Sequence, residues 1–200
     1  MKIGILGGTF DPVHWGHLFM AEVAREKVGL DCVYFAPANI PPHKKQATAT
    51  AKDRLAMLEL SLAENPFFKI GLWDYERKTP AFTYQTMAEL SRKFPDAEIY
   101  FIVGGDSLRD FSTWKKPEEI IRHCKVIGIA RPEADFSHSE FIKEHVKDFI
   151  LIDSPPIGIS STEIRNRLQA GLDVRYYLHP AAYEYLKLKK IYAKKASALS

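Results

Sequence analysis

Two histidines, His14 and His17, stand three residues apart with Gly16 between them, shortly after the apolar run Ile3 to Leu6 and the pair Gly7 and Gly8. At the start of a helix, that spacing lets both imidazoles face one side, beside unpaired backbone N–H groups and the positive end of the helix dipole. An anion is favoured there. Gly7 and Gly8 permit a tight turn and a close backbone approach to a ligand, as glycines do in phosphate loops. From spacing alone the histidines could instead cap the helix or bind a metal, and the glycines favour the anion. The segment GGTFDPVHWGH is not a GxGxxG fingerprint. Nor is it a Walker loop, because no Gly-Lys-Ser/Thr follows, so hydride transfer and P-loop hydrolysis lose their sequence support.

A second phosphate-binding character appears in ISSTEIRNRL. Ser160, Ser161 and Thr162 open a helix after Pro155 and Pro156, and Arg165 follows one turn in, where a guanidinium can take a phosphate bidentately. An ordinary N-cap, with Ser160 or Ser161 capping and Glu163 in the first turn, accounts for the same residues, and both readings can hold together. Three groups lie between the two ends. His43 and Lys44, in PPHKK, offer positive charge to an acceptor phosphate or form a solvated basic loop. Thr83 and Tyr84 start a helix whose N–H groups and hydroxyl can receive a carboxylate. Gly104, Gly105 and Asp106 end a strand, and Trp114 on the next loop is either a stacking surface or a core residue.

Short runs rich in Ile, Val, Phe and Tyr alternate with helix-period segments, which predicts parallel strands joined by crossover helices. The strands are expected at Ile3 to Leu6, Cys32 to Ala36, Phe68 to Leu72, Ile99 to Val103, Val126 to Ala130 and Phe149 to Ile152. Helices are expected at Gly16 to Val28, Lys52 to Asn65, Tyr84 to Lys93, Pro117 to His123, Ser139 to His145, Ser161 to Ala170 and Pro180 to about Leu188. The expected fold is α/β, a doubly wound Rossmann-like parallel sheet in a single domain over residues 1–200, with ligands at the carboxyl ends of the strands. The last helix packs on the body, and the flexible parts are Ile40 to Ala51 and the final residues.

Of the 200 residues, 46% are hydrophobic and 26% charged, a balance that suits one α/β domain with a substantial core. The net charge of +3 is small and spread out, apart from a tail around Lys187, Lys189, Lys190, Lys194 and Lys195. It announces no nucleic-acid groove. The start MKIGILGG is too short for a signal peptide and no apolar run spans a bilayer, so a soluble cytoplasmic protein with no membrane partner is expected. Cys32 and Cys124, without a CxxC or a neighbouring His, read as reduced core residues.

On these residues the sequence resembles the HxGH nucleotidyltransferase superfamily, through GGTFDPVHWGH and ISSTEIR. PPHKK, AFTYQTM and FIVGGDSLRDFSTWKKP are similar to the bacterial-type nicotinate mononucleotide adenylyltransferases. The resemblance runs from Lys2 to about Tyr192 and includes ARP after the fifth strand and Tyr177 to Pro180. It implies an enzyme that binds ATP through Gly7, Gly8, Thr9, Phe10, His14, His17, Gly104, Asp106, Arg131, Ser160, Ser161 and Arg165. His14, His17 and Arg165 would act at the reacting phosphates. Nicotinate mononucleotide would meet His43, Lys44, Thr83, Tyr84 and Trp114. Mg²⁺ would accompany ATP without a protein metal site, no nucleic acid would be bound, and homo-oligomer formation stays open. Other readings are a nicotinamide or dual-specificity enzyme, a non-catalytic nucleotide sensor, and an RNA-binding protein of the HIGH type. The last lacks both room for an anticodon-binding domain and a basic surface. Trp15 between the histidines and Ser107 after the GGD sequence are mild departures that remove no functional group.

Overall fold

The computed structural model describes residues 1–40, 47–80, 82–130, 140–155 and 157–193. Its centre is a six-stranded sheet built from β1 (Lys2–Gly8), β2 (Cys32–Pro37), β3 (Phe68–Ile70), β4 (Glu98–Gly104), β5 (Lys125–Ala130) and β6 (Phe149–Asp153). All neighbours pair in parallel in the order β3-β2-β1-β4-β5-β6. The chain winds outward from β1 through β2 to β3, then crosses to β4 and winds the other way. β1 and β4 therefore flank the switch point, where a crevice opens beyond the strand ends.

Alternation within the strands divides the core between the two faces. In β4, Tyr100 and Ile102 point to one face while Ile99, Phe101 and Val103 point to the other. The first face is covered by α1 (Trp15–Val28), α2 (Ala51–Leu62), α7 (Ser161–Gln169) and α8 (Pro180–Leu188), through residues such as Ala21, Leu58, Ile164 and Leu186. Covering the second are α3 (Thr83–Lys93), the short α4 (Gly105–Arg109), α5 (Pro117–His123) and α6 (Glu140–Glu144), through Leu90, Leu108, Ile120 and Ile142. Each fully buried Ile, Leu or Phe contributes roughly 1.5–3 kcal/mol relative to exposure. Cys32 and Cys124 are free thiols buried in this core, and burial pushes both pKa values up.

The doubly wound parallel sheet is the predicted one, with differences at element ends. α2 begins one residue earlier than expected because Thr50 caps it, accepting from the Asp53 N–H at 3.1 Å. It stops at Leu62 rather than Asn65, whose side-chain oxygen accepts from the Phe67 N–H at 2.9 Å and builds a turn. Gly105 and Asp106, read as the end of a strand, instead open α4, and only Gly104 closes β4. The segment expected to be flexible is pinned at its far end, where Ala49 is buried and both Thr48 and Ala49 donate their N–H groups to Asp11. No described helix is long and apolar enough to cross a membrane.

Candidate active site

The chain leaves β1 at the switch point and makes its left-handed step at Phe10, with φ 49°. The glycines were expected to supply that turn, but both still belong to β1. Gly8 is needed for space, because a Cβ there would lie 3.1 Å from the Phe10 ring. That ring is buried, meets His17 edge-on at 5.1 Å between centroids and packs on Phe35. The loop is therefore shaped by an aromatic side chain driven into the core beneath the histidines.

His14 is the N-cap of α1 in extended conformation, and His17 sits three residues into the helix. Their rings lie 3.7 Å apart between centroids, tilted by 30°. The His14 backbone N–H donates to Nδ1 of His17 at 3.3 Å, so a neutral His17 carries its proton on Nε2. His14 is only 7% exposed, and burial lowers its pKa to about 4. At neutral pH it is an uncharged imidazole that can donate one hydrogen bond. Its buried Nδ1 has no hydrogen-bond partner among the described residues. Gly16 explains the glycine of the motif, since a Cβ there would stand 3.0 Å from this Nδ1. The predicted common side for the two rings is therefore realised, with burial removing the charge from one of them.

The two predicted phosphate ends are joined directly. Ser160 caps α7, accepting from the Glu163 N–H at 3.1 Å. Ser161 donates its hydroxyl to the Pro12 carbonyl at 2.9 Å, and Arg165 donates from Nη1 to the Asp11 carbonyl at 2.6 Å and from Nη2 to Oγ1 of Thr162 at 3.0 Å. The N-cap reading and the docking of the motif on the first loop thus coexist. With the Ser161 hydroxyl and the Glu163 N–H engaged, the donors that α7 offers an anion at its start are the first backbone N–H groups and the O–H of Ser160, whose oxygen accepts from Glu163. Gly104 ends β4 alongside, and a Cβ there would meet Sδ of Met20 on α1 at 3.4 Å.

Three residues that sequence reasoning passed over hold this arrangement. Asp11, 6% exposed, accepts from the Thr48 and Ala49 N–H groups and, at 2.6 Å, from the Tyr192 hydroxyl. Arg54, 1% exposed, donates to the Thr9, Ala38 and Asn39 carbonyls, fastening the loop after β1 to the loop after β2. Burial pulls the Arg54 pKa down, and the Asp11 carboxylate opposes that pull. Their partners lie up to 181 positions away in sequence, so no local pattern announces them. The one available signal was the acidic residue inside the glycine-rich loop itself.

Around the residues expected to meet the acceptor, α3 starts at Thr83, with Phe82 as its N-cap. The Trp114 loop lies against this start: Nζ of Lys115 stands 4.1 Å from the Phe82 ring centroid, and Nζ of Lys116 stands 5.1 Å from that of Tyr84. Trp114 is half-buried, with one side on Phe111 at 5.3 Å, so it is only partly a core residue. Thr86 in α3 donates to Asp74 at 2.7 Å, and the Asn39 N–H donates to the Asp74 carbonyl at 3.4 Å. A chain of hydrogen bonds thereby runs from Thr9 through Arg54, Asn39 and Asp74 to α3. His43, Lys44 and Arg131 lie outside the described residues, as does the Asp106 side chain.

A strand-turn-helix with paired histidines at the switch point, met by a capped helix carrying Arg165, defines a nucleotide-binding class of α/β protein. Residues 5–167 match the model of the cytidylyltransferase-like family, to which the chain belongs. Among its relatives is a "probable nicotinate-nucleotide adenylyltransferase" of Dictyoglomus turgidum, 39% identical, with 96% of each chain covered. A protein of the same name from Dictyoglomus thermophilum is 40% identical, covering 96% of this chain and all of the relative. Among solved structures, the Plasmodium falciparum nicotinic acid mononucleotide adenylyltransferase complexed with NaAD superposes with a TM-score of 0.77 at 22% identity. That match covers 96% of this chain and 97% of the other, and it concerns the fold.

Proposed function

We propose that this protein transfers the AMP part of ATP to nicotinate mononucleotide, giving nicotinic acid adenine dinucleotide and pyrophosphate, a step of NAD biosynthesis. The observation that carries the reading is full-length similarity, at 39–40% identity, to proteins of that name. The joined histidine and SSTEIR motifs support it.

The acceptor's 5'-phosphate attacks the ATP α-phosphorus in line and pyrophosphate leaves. With a second pKa of about 6, that phosphate is already ionised at neutral pH and needs no general base. Catalysis then consists of holding two polyanions together and stabilising the crowded α-phosphate. His14, neutral in its buried setting, and His17 donate hydrogen bonds to the α- and β-phosphates. Arg165 and the first N–H groups of α7 take the outer phosphates. Thr83 and Tyr84 receive the nicotinate carboxylate, and Trp114 supplies the stacking surface.

Mg²⁺ would accompany ATP. The donor set suits a cation carried on phosphate oxygens: Asp11, the one carboxylate of the first loop, already accepts three hydrogen bonds from N–H and O–H donors. Bound there, the cation would neutralise charge on the triphosphate. The test is to incubate the protein with ATP, Mg²⁺ and nicotinate mononucleotide, then weigh the products. Equimolar dinucleotide and pyrophosphate, with no labelled protein from radioactive ATP alone, is the expected result. An adenylylated protein would overturn direct transfer, and the absence of dinucleotide would overturn the reading.

A further inference from the structure

Three neutral donors converge on the Asp11 carboxylate. Oδ1 accepts from the Tyr192 hydroxyl at 2.6 Å and the Ala49 N–H at 3.0 Å, and Oδ2 accepts from the Thr48 N–H at 2.8 Å. Arg165 is close by, with Nη1 3.9 Å from Oδ2. A guanidinium and a carboxylate with nothing to hold them apart close into a charge-assisted pair at about 2.7–2.9 Å. Here the same Nη1 donates to the Asp11 backbone carbonyl, while Nη2 donates to Thr162. A carboxylate offers about four acceptor positions. Three are filled by groups that carry no charge, two on Oδ1 and one on Oδ2, while the buried Arg54 guanidinium balances part of the Asp11 charge and Arg165 is held by oxygens that carry none.

Tyr192 reaches this place from beyond the last helix, and its backbone has φ 65°, with Lys190 at φ 52° just before it. Left-handed backbone at a bulky residue persists only where surrounding structure enforces it, and such residues gather at functional sites. The ring is 7% exposed and belongs to the core cluster beneath α1, α2 and α8.

We propose that Tyr192 is a positioning residue for adenylyl transfer: its phenol, with the Ala49 N–H, fills Oδ1 of Asp11 and fixes the carboxylate so that Oδ2 stays 3.9 Å from Arg165, leaving the guanidinium available to the triphosphate rather than drawn into a close pair with Asp11. The inference rests on the reading of Arg165 as an ATP phosphate ligand, but not on the identity of the acceptor.

Tyr192→Phe removes the hydroxyl and keeps the ring. Tyr185→Phe is the control, because it removes a comparable bond, to Asp53 at 3.0 Å, from the same end of the chain without approaching Arg165. Equilibrium titration with ATP and Mg²⁺, melting temperature and KM for both substrates are measured for each variant, alone and combined with Arg165→Met. Tyr192→Phe is expected to weaken ATP binding about tenfold and leave KM for the acceptor within twofold. Its melting temperature should stay within a few degrees of that of Tyr185→Phe, and in the Arg165→Met background it should change ATP binding less than twofold. Unchanged ATP binding would overturn the proposal, as would equal losses for both substrates accompanied by a fall in melting temperature, or full additivity with Arg165→Met. Because ATP binding is read without an acceptor, a wrong acceptor assignment would leave this result standing.

Discussion

At the scale of single residues, burial decides what the two histidines can do. His14 is held neutral by desolvation, with its pKa lowered to about 4, so it is available as an oriented donor and not as a fixed charge. The folded protein binds a proton at His14 more weakly than the unfolded chain does. Stability is therefore complete above pH 6.5 and falls as the pH drops toward 4, by up to about 3 kcal/mol. Melting temperature followed from pH 7 to pH 4 should decline less steeply in His14→Gln than in the parent, and identical slopes would contradict the assignment. For His17, whose ring is oriented by the His14 N–H, replacement by Ala should lower kcat about a hundredfold with the fold intact, as for loss of one transition-state donor. Steady-state kinetics beside a circular dichroism spectrum checks it, and parental turnover would refute the role.

At the scale of elements, the site depends on α7 being seated on the loop after β1. Ser161→Ala removes the donor to the Pro12 carbonyl. The expected cost is about 1 kcal/mol, or roughly 2–4 °C in melting temperature, together with a several-fold rise in KM for ATP. A drop in melting temperature with unchanged KM would mean that α7 only braces the fold. The two motifs were legible because each is local: glycines, paired histidines, and hydroxyls at a helix start lie within a few residues of one another. The strands were legible through their alternating Ile, Val and Phe. What the sequence hid were contacts set by tertiary packing, such as Phe10 taking the left-handed step and Ser161 spending its hydroxyl on Pro12. The short α4 was missed because Gly104 and Gly105 read as the close of a strand, whereas the chain turns directly into a helix after Gly104.

Across the whole molecule, the doubly wound sheet brings β1 and β4 side by side, and buried polar groups then join loops that the chain order separates. Arg54 is the clearest case, because its guanidinium serves three carbonyls from two loops. Arg54→Met keeps the volume and removes the donors, leaving those carbonyls unsatisfied. About 3 kcal/mol of stability should be lost, roughly 6–12 °C in melting temperature. Thermal denaturation would test this, and a shift below 2 °C would show that the arginine is dispensable. Neither Arg54 nor Asp11 nor Tyr192 could be singled out from spacing, since their meaning lies in contacts across the fold. The identity of the acceptor is read most directly from kcat/KM at saturating ATP and Mg²⁺ for nicotinate mononucleotide, nicotinamide mononucleotide and phosphopantetheine. A preference for the nicotinate substrate of at least tenfold over either rival is predicted, whereas a preference for one of the others would contradict nicotinate mononucleotide as the acceptor.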